Sequence, residues 1–193
     1  MSRFPNIQQG MVGQLLFAVL AVLGSRGRLK IGFPVVDDEG RDVEIHIRGK
    51  FSPGLAVQVK TTMALHKQEK RRILSVRFPI RPENMIDHPL YWYFFAHLDL
   101  MQMRFSDQVF LVPSKVVHAH YRADQERGKR QFFFQGNIEA NADDHWTQYR
   151  LEATEVGARL IQLMSELPRE QRLEPAALRK MAGQSGVCRL GLA

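Results

Sequence analysis

Two neighbouring stretches, GRDVEIHIRG at 40–49 and GLAVQVKTT at 54–62, constrain this chain most. In the first, Val43, Ile45 and Ile47 alternate with Asp42, Glu44 and His46. In the second, Leu55, Val57 and Val59 alternate with Ala56, Gln58 and Lys60. Period-two alternation over such lengths is the mark of a strand with one apolar face. The short Lys50-Phe51-Ser52-Pro53-Gly54 stretch between them reads as a turn, so the two strands are neighbours. Each must bury its apolar face against another layer, and each carries its polar residues on the opposite face.

Those polar residues are the chemically pointed ones. Phosphodiester cleavage with a divalent ion needs oxygen ligands that hold the ion against the scissile phosphate. It also needs a cation to stabilise the charge that develops there, and a positioned water. Asp42 can supply a hard oxygen ligand, and Gln58 a neutral amide oxygen, a weaker one. Lys60 follows Gln58 by two residues, so both side chains leave the strand on the same face. Glu44 stands in the same relation to Asp42 and is a candidate for the second carboxylate that Gln58 does not provide. The set predicted to carry chemistry is therefore Asp42, Gln58 and Lys60, with Asp42, Gln58 and Glu44 as ligands of Mg²⁺ or Mn²⁺.

Upstream, residues 7–23 read as a helix ended by Gly24, Gly27 and the basic SRGR stretch. Its apolar run 11–23 is too short to span a bilayer. It has the length of a signal-peptide core, but Gln8, Gln9 and Gln14 and the lack of a small-x-small site argue for a buried helix. Gln14 is the one polar residue within that run, and a buried amide needs partners, which an active site beside the sheet would provide.

The remaining elements alternate. A strand is expected at 29–36, with Pro34 placing it at an edge, then a turn at 37–40. The basic segment HKQEKRR at 66–72 precedes a strand at 73–80. A strand running into a polar turn at 90–103, a short strand at 109–112, a helical turn at 114–120 and a strand or loop start at 132–134 follow. A long helix at 145–167, capped by Asp143 or Asp144, ends at Pro168. Residues 1–167 then form one domain, and 168–193 a tail or short helix. The order implies an α/β fold with a mixed central sheet.

The chain of 193 residues carries a formal charge of +7 and a pI near 9.9, a pointer to a polyanionic partner. Arg28, Lys30, Lys50, Lys67, Lys70, Arg71 and Arg72 are the expected nucleic-acid contacts, a basic rim around the site. A single cysteine, Cys188, excludes an internal disulfide and a cysteine zinc site, in keeping with a reducing, cytoplasmic setting. His118 and His120 form an H-x-H pair with no third ligand and read as structural, as do His88 and His97. Tyr91 to Phe95 read as core, and no phosphate-binding glycine loop is present.

The stretch GMVGQLL…GRDVEIHIRGKFSPGLAVQVKTT resembles the PD-(D/E)XK nuclease superfamily, the restriction-endonuclease-like fold. It looks closest to the Mrr-like branch with Q-x-K and to related uncharacterised bacterial domains. HPLYWYFF, VFLVPS and DDHWTQYRL extend the resemblance over roughly residues 8–167. The family pattern is a helix carrying an acid, a strand carrying Asp, and a strand carrying (D/E)-x-K or Q-x-K. It falls here on Gln14, Asp42, and Gln58-Val59-Lys60, with Gln14 standing where the helix acid is expected. The resemblance implies a restriction-endonuclease-like sheet flanked by helices, DNA as substrate, Mg²⁺ or Mn²⁺ as cofactor, and a place in bacterial defence or mobile-element biology. A homodimer, or partner proteins of a defence system, goes with it; a membrane does not. Two functions stay open: a metal-dependent nuclease, or a nuclease fold retained as a nucleic-acid-binding or protein-interaction module.

Overall fold

The structure, a computed structural model, describes residues 5–34, 41–50, 54–68, 71–80, 85–120, 122–123 and 130–166. Helix α1 (Asn6–Gly24) opens the chain after Pro5. It ends where the sequence indicates, because Arg26 (φ 54°) and Gly27 (φ 73°) turn the backbone left-handed and reverse it. Ser25 Oγ then accepts the Leu29 amide hydrogen at 3.2 Å and launches strand β1 (Leu29–Gly32).

The alternating pair forms β2 (Val43–Ile47) and β3 (Leu55–Thr62), antiparallel with Val43 opposite Val57. The hairpin that follows is β4 (Leu65–Gln68) and β5 (Arg71–Pro79). Next come β6 (Tyr91–Asp99), β7 (Arg104–Phe105), β8 (Gln108–Pro113) and α2 (Ser114–Ala119). Strands β9 (Arg122–Ala123), β10 (Arg130–Asn137) and β11 (Arg150–Glu152) and helix α3 (Val156–Glu166) complete the order.

Two sheets result. The larger has seven strands, ordered β1-β2-β3-β6-β8-β11 with β7 on β6. It is mixed: β3 and β6 run parallel, with Gln58 beside Tyr93, and its other pairs are antiparallel. The smaller sheet, β4-β5-β10-β9, is antiparallel throughout. The second sheet is an addition to the expected mixed central sheet flanked by helices.

Strand parity explains how the layers close. Val43, Ile45, Leu55, Val57, Val59, Phe94, Val109 and Leu111 point to one face of the large sheet and pack with Phe17 and Ala21 of α1 and Leu160 and Met164 of α3. Tyr91, Tyr93, Phe95, Phe110 and Val112 point to the other and pack with Leu74, Val76, Phe78, Phe132 and Phe134 of the small sheet. Phe95 and Phe134 stack at 4.2 Å and 9°. The even positions of β3 therefore face the small sheet.

Two expectations need correction. The helix read at 145–167 is shorter: a 3₁₀ turn (Thr147–Tyr149), strand β11 and a second 3₁₀ turn (Ala153–Glu155) precede α3. Asp144 caps no long helix; its carboxylate accepts the Asn137 and Trp146 amide hydrogens at 2.7 and 2.8 Å. Leu151 then pairs with Val109 along β8, so ladder hydrogen bonding outweighs the local helical pattern. The strand and following turn read at 90–103 are found as β6 ending at Asp99 and a turn in which Met103 (φ 53°) leads back into β7. The basic segment HKQEKRR is divided between two strands of a hairpin. The 37–40 turn and the 168–193 tail lie outside the described residues.

Candidate active site

A cleft of about 430 Å³ opens where α1 crosses the end of β3 and faces β5. Asp42, Val59, Lys60, Thr61 and Thr62 line it from the large sheet, Ser75 to Phe78 from β5, and Asn6, Gln9, Gly10 and Gln14 from α1.

Asp42 sits one residue before the Val43–Val57 pair, hence across from Gln58. It is buried to 9% exposure, and its Oδ2 accepts the Val59 amide hydrogen at 2.7 Å. That bond fixes the carboxylate against the strand that carries Lys60. The Lys60 ammonium lies 5.2 Å from the Phe78 ring centroid, so its stem crosses the gap between the sheets. The helix wall is held by Gln9, whose Nε2 donates to the Thr61 carbonyl at 2.7 Å. Gln14 is half-buried and lines the cleft, and its side chain makes no protein hydrogen bond among the described residues.

Gln58 shares the Lys60 face but lies deeper, under the aromatic layer. Its Oε1 is 3.4 Å from Tyr91 Oη, the start of a polar chain through the core. Tyr91 Oη lies 3.4 Å from Tyr93 Oη, which is 3.0 Å from His118 Nε2. His118 Nδ1 is 2.6 Å from Asp87 Oδ1. A carboxylate only accepts, so Nδ1 carries a hydrogen, and in the neutral imidazole Nε2 then accepts the Tyr93 hydroxyl hydrogen. Burial, then Tyr91 and the charges of Asp42 and Asp87, push the Tyr93 phenol far up, and it stays protonated. His118 is thus structural, as read from sequence, but as a link in this chain. His120 is exposed and bonds the Val116 carbonyl at 2.8 Å, so the H-x-H pair does not converge on one point.

The other site residues lie elsewhere. Glu44 is not in the cleft lining. It is 41% exposed and faces Arg41 at 3.6 Å and His46 at 4.0 Å, so it does not take the place of a second cleft carboxylate. The basic residues do not ring the cleft. Arg28 and Lys30 are exposed on or beside edge strand β1, and Lys50 is exposed beyond β2. Lys67, Arg71 and Arg72 are exposed on the β4–β5 hairpin, where Arg72 Nε donates to Glu139 at 2.8 Å. That bond raises the Arg72 pKa and holds the Glu139 carboxyl below its ordinary value. Lys70 lies outside the described residues.

Sequence reasoning missed Asn6, Gln9 and Arg77, all of which line the cleft. A signal existed for the helix: Asn6, Gln9, Gly10, Gly13 and Gln14 recur at helical three-and-four spacing, one polar and small stripe. Arg77 had none, since only the β5–β10 pairing brings it to the rim, its guanidinium 4.9 Å from the Phe133 ring.

The donor set can be tested against Mg²⁺ or Mn²⁺. Among the described residues, no three His, Cys, Asp or Glu side chains converge. Mg²⁺ keeps several waters and takes one or two carboxylates plus substrate phosphate oxygens. One buried carboxylate, Asp42, fits an ion otherwise completed by phosphate and water, since Gln58 is not among the cleft lining and its amide oxygen lies 3.4 Å from Tyr91 Oη. It does not fit a closed all-protein cage.

No family model and no curated protein sequence matches the chain. Among solved structures, the chain is similar to the bacterial homing endonuclease I-Ssp6803I, with a TM-score of 0.51 and 15% identity over 84% of this chain and 96% of that one. The chain has the restriction-endonuclease-like fold, a mixed central sheet with flanking helices.

Proposed function

We propose that this protein is a metal-dependent nuclease that hydrolyses DNA phosphodiester bonds in the cleft between α1, β3 and β5. The observation that carries this reading is the meeting of Asp42 and Lys60 in one cleft of a restriction-endonuclease-like fold. Asp42 would hold Mg²⁺ or Mn²⁺, joined by the Gln58 amide oxygen only if it turns away from the Tyr91 hydroxyl, and the bound ion would supply charge neutralisation at the phosphate and an activated water. Lys60 places a positive charge beside the scissile phosphate or orients the attacking water. Gln14 contributes an amide that can hydrogen-bond water or a phosphate oxygen at the helix wall. The Q-x-K triplet resembles the Mrr-like side of the superfamily, and that resemblance is what supports a cytoplasmic defence or mobile-element role. The test is plasmid cleavage with Mn²⁺. The purified protein cuts, and Lys60→Ala does not. Absence of cleavage by the natural chain, with no activity lost in Lys60→Ala, overturns the reading.

A second reading rests on a specific observation: the cleft holds one carboxylate where two acids would bind an ion more firmly. Here the fold binds nucleic acid without cutting it. Metal-independent, salt-sensitive DNA binding supports this version. So does cleavage gained only in the Gln14→Glu, Gln58→Glu double variant.

A further inference from the structure

The β1–β2 margin of the large sheet carries an open basic surface, and strand parity places it. Leu29 and Ile31 of β1 and Val43 and Ile45 of β2 point to the helix layer. Lys30 with its cross-strand partner His46, and Gly32 with Glu44, therefore point to the opposite face, the one that carries Asp42, Gln58 and Lys60. Arg28 and Arg48 continue that row by one pair, the Arg48 amide donating to the Arg28 carbonyl at 2.8 Å. On β3 and β6 this face is roofed by the small sheet. Over β1 and β2 it is open: Arg28, Lys30 and Arg48 are exposed, and His46 and Glu44 are half-exposed.

Two glycines keep the surface low. Gly32 stands opposite Glu44, and a Cβ at Gly54 would fall 2.6 Å from His46 Cε1, so the imidazole rests over bare backbone. Between Arg48 and the buried Asp42, Glu44 is the one carboxylate on this row among the described residues, and Arg41 at 3.6 Å offsets it.

We infer that this ledge seats the sugar-phosphate backbone of duplex DNA beside the cleft, with Arg28, Lys30 and Arg48 as phosphate contacts. Arg48 lies six residues beyond Asp42 in a nearly continuous extended segment. At about 3.3 Å per residue, the row reaches about 20 Å from Asp42. Each strand of a duplex carries one phosphate per about 3.4 Å of axis, so that reach spans about six base pairs of flank. An open, elongated row suits a polymer and not a free phosphate. An anionic bilayer is the competing partner, and the sheet face shared with Asp42 and Lys60 favours DNA. The cations of the β4–β5 hairpin are a different case, since they sit on the other sheet and Arg72 is held by Glu139 at 2.8 Å.

The inference takes DNA as the ligand from the proposed function, and its test does not require cutting. Binding of a fluorescent duplex of about 20 base pairs is followed by anisotropy in EDTA, from about 50 to 200 mM salt. The natural chain should bind with a steep salt dependence. Arg28→Ala, Lys30→Ala and Arg48→Ala together should weaken binding about tenfold or more and lower the salt slope by about 2–3, near 0.9 per lost contact. A milder pair, Lys30→Gln with Arg48→Gln, guards against misfolding and should lower the slope by about 2. Both should keep the natural circular dichroism. Lys67→Ala with Arg71→Ala should leave the affinity within about twofold. No binding by the natural chain, or equal binding by the natural chain and the triple variant, overturns the inference. So does a loss in the hairpin pair as large as in the triple variant. Co-flotation with phosphatidylglycerol vesicles, lost in the triple variant and unaccompanied by DNA binding, assigns the ledge to a membrane and overturns it as well. Plasmid cleavage in Mn²⁺ separates the two claims. Cutting by a natural chain whose triple variant binds DNA equally well removes the ledge and keeps the nuclease. Ledge-dependent binding without cutting keeps the ledge and removes the nuclease.

Discussion

The two faces of the seven-stranded sheet are built on different principles. The helix-covered face is a dry seam of Val, Ile, Leu and Phe side chains closed by Phe17 and Ala21 of α1 and by α3. The face under the small sheet is aromatic, and hydroxyl, imidazole, amide and ammonium groups are threaded through it: Tyr91, Tyr93, His118, Gln58 and Lys60. Apolar packing is tolerant of position as long as volume is kept. Buried polar groups are not, since each must find its partner. The first face therefore holds the fold together, and the second holds chemistry in place.

This division can be broken by experiment, the largest effect first. Phe17→Ala should lower unfolding free energy by about 3–5 kcal/mol, as expected for an emptied aromatic site in a dry core. Urea unfolding measures it, and near-natural stability would mean that the helix face is not the structural one. Lys60→Ala should do the reverse. Cleavage in Mn²⁺ should fall about 10²–10³-fold, equivalent to roughly 3–4 kcal/mol of transition-state stabilisation. Its melting temperature should stay close to that of the natural chain, because what the fold loses is a half-buried ammonium over Phe78.

Tyr93→Phe sharpens the comparison. The ring still stacks on Phe95 at 6.0 Å, but His118 Nε2 loses its donor in a buried site. About 1–3 kcal/mol of stability should go, and His118→Phe in the same background should recover part of it by removing the stranded acceptor. A fully additive double-mutant cycle would show that the polar chain is not a unit.

The smallest effect is the dependence on pH at His97, the last member of the row Tyr91, Tyr93, Phe95 on the polar face. Burial holds its imidazole below the ordinary 6.5, against the pull of the Met63 backbone and Asp99. The folded protein thus binds a proton less readily than the unfolded chain. The His97 contribution is complete above pH 6.5 and is lost as pH falls through the lower folded value. His97→Gln, able to keep a hydrogen bond to Ser106, should flatten the melting-temperature profile below pH 6.5 while leaving it unchanged at pH 8. An unaltered acid limb would place the titration elsewhere.

Much of this was legible in the amino-acid order, and the boundary of legibility is physical. Strict alternation in 43–47 and 55–60 reports the burial of one face, so β2, β3 and the common side of Gln58 and Lys60 could be read directly. The helix register of α1 could be read too, although Gln14 drew notice and the stripe from Asn6 to Gln9 did not. What could not be read depends on pairing between distant segments. The small sheet exists because Phe132 meets Phe78 and Phe134 meets Val76 across more than fifty residues of chain. Without that pairing, Arg77 has no cleft to border and Lys60 has no aromatic partner. Tyr149 and Leu151 fit a helix and a strand equally well, and only the unfilled edge of β8 decides between them.

Gly13 lies where α1 comes nearest to β3, and a Cβ there would fall 2.8 Å from Thr61 Cγ2. Helix and strand close on each other because that position carries only hydrogen. The gap between the jaws of the cleft, with Gln9 and Gln14 on one side and Lys60 on the other, is thereby gauged by a single missing methyl group. Its bite is set by the contact of Gly13 with the Thr61 side chain together with the Gln9 bond to the Thr61 carbonyl.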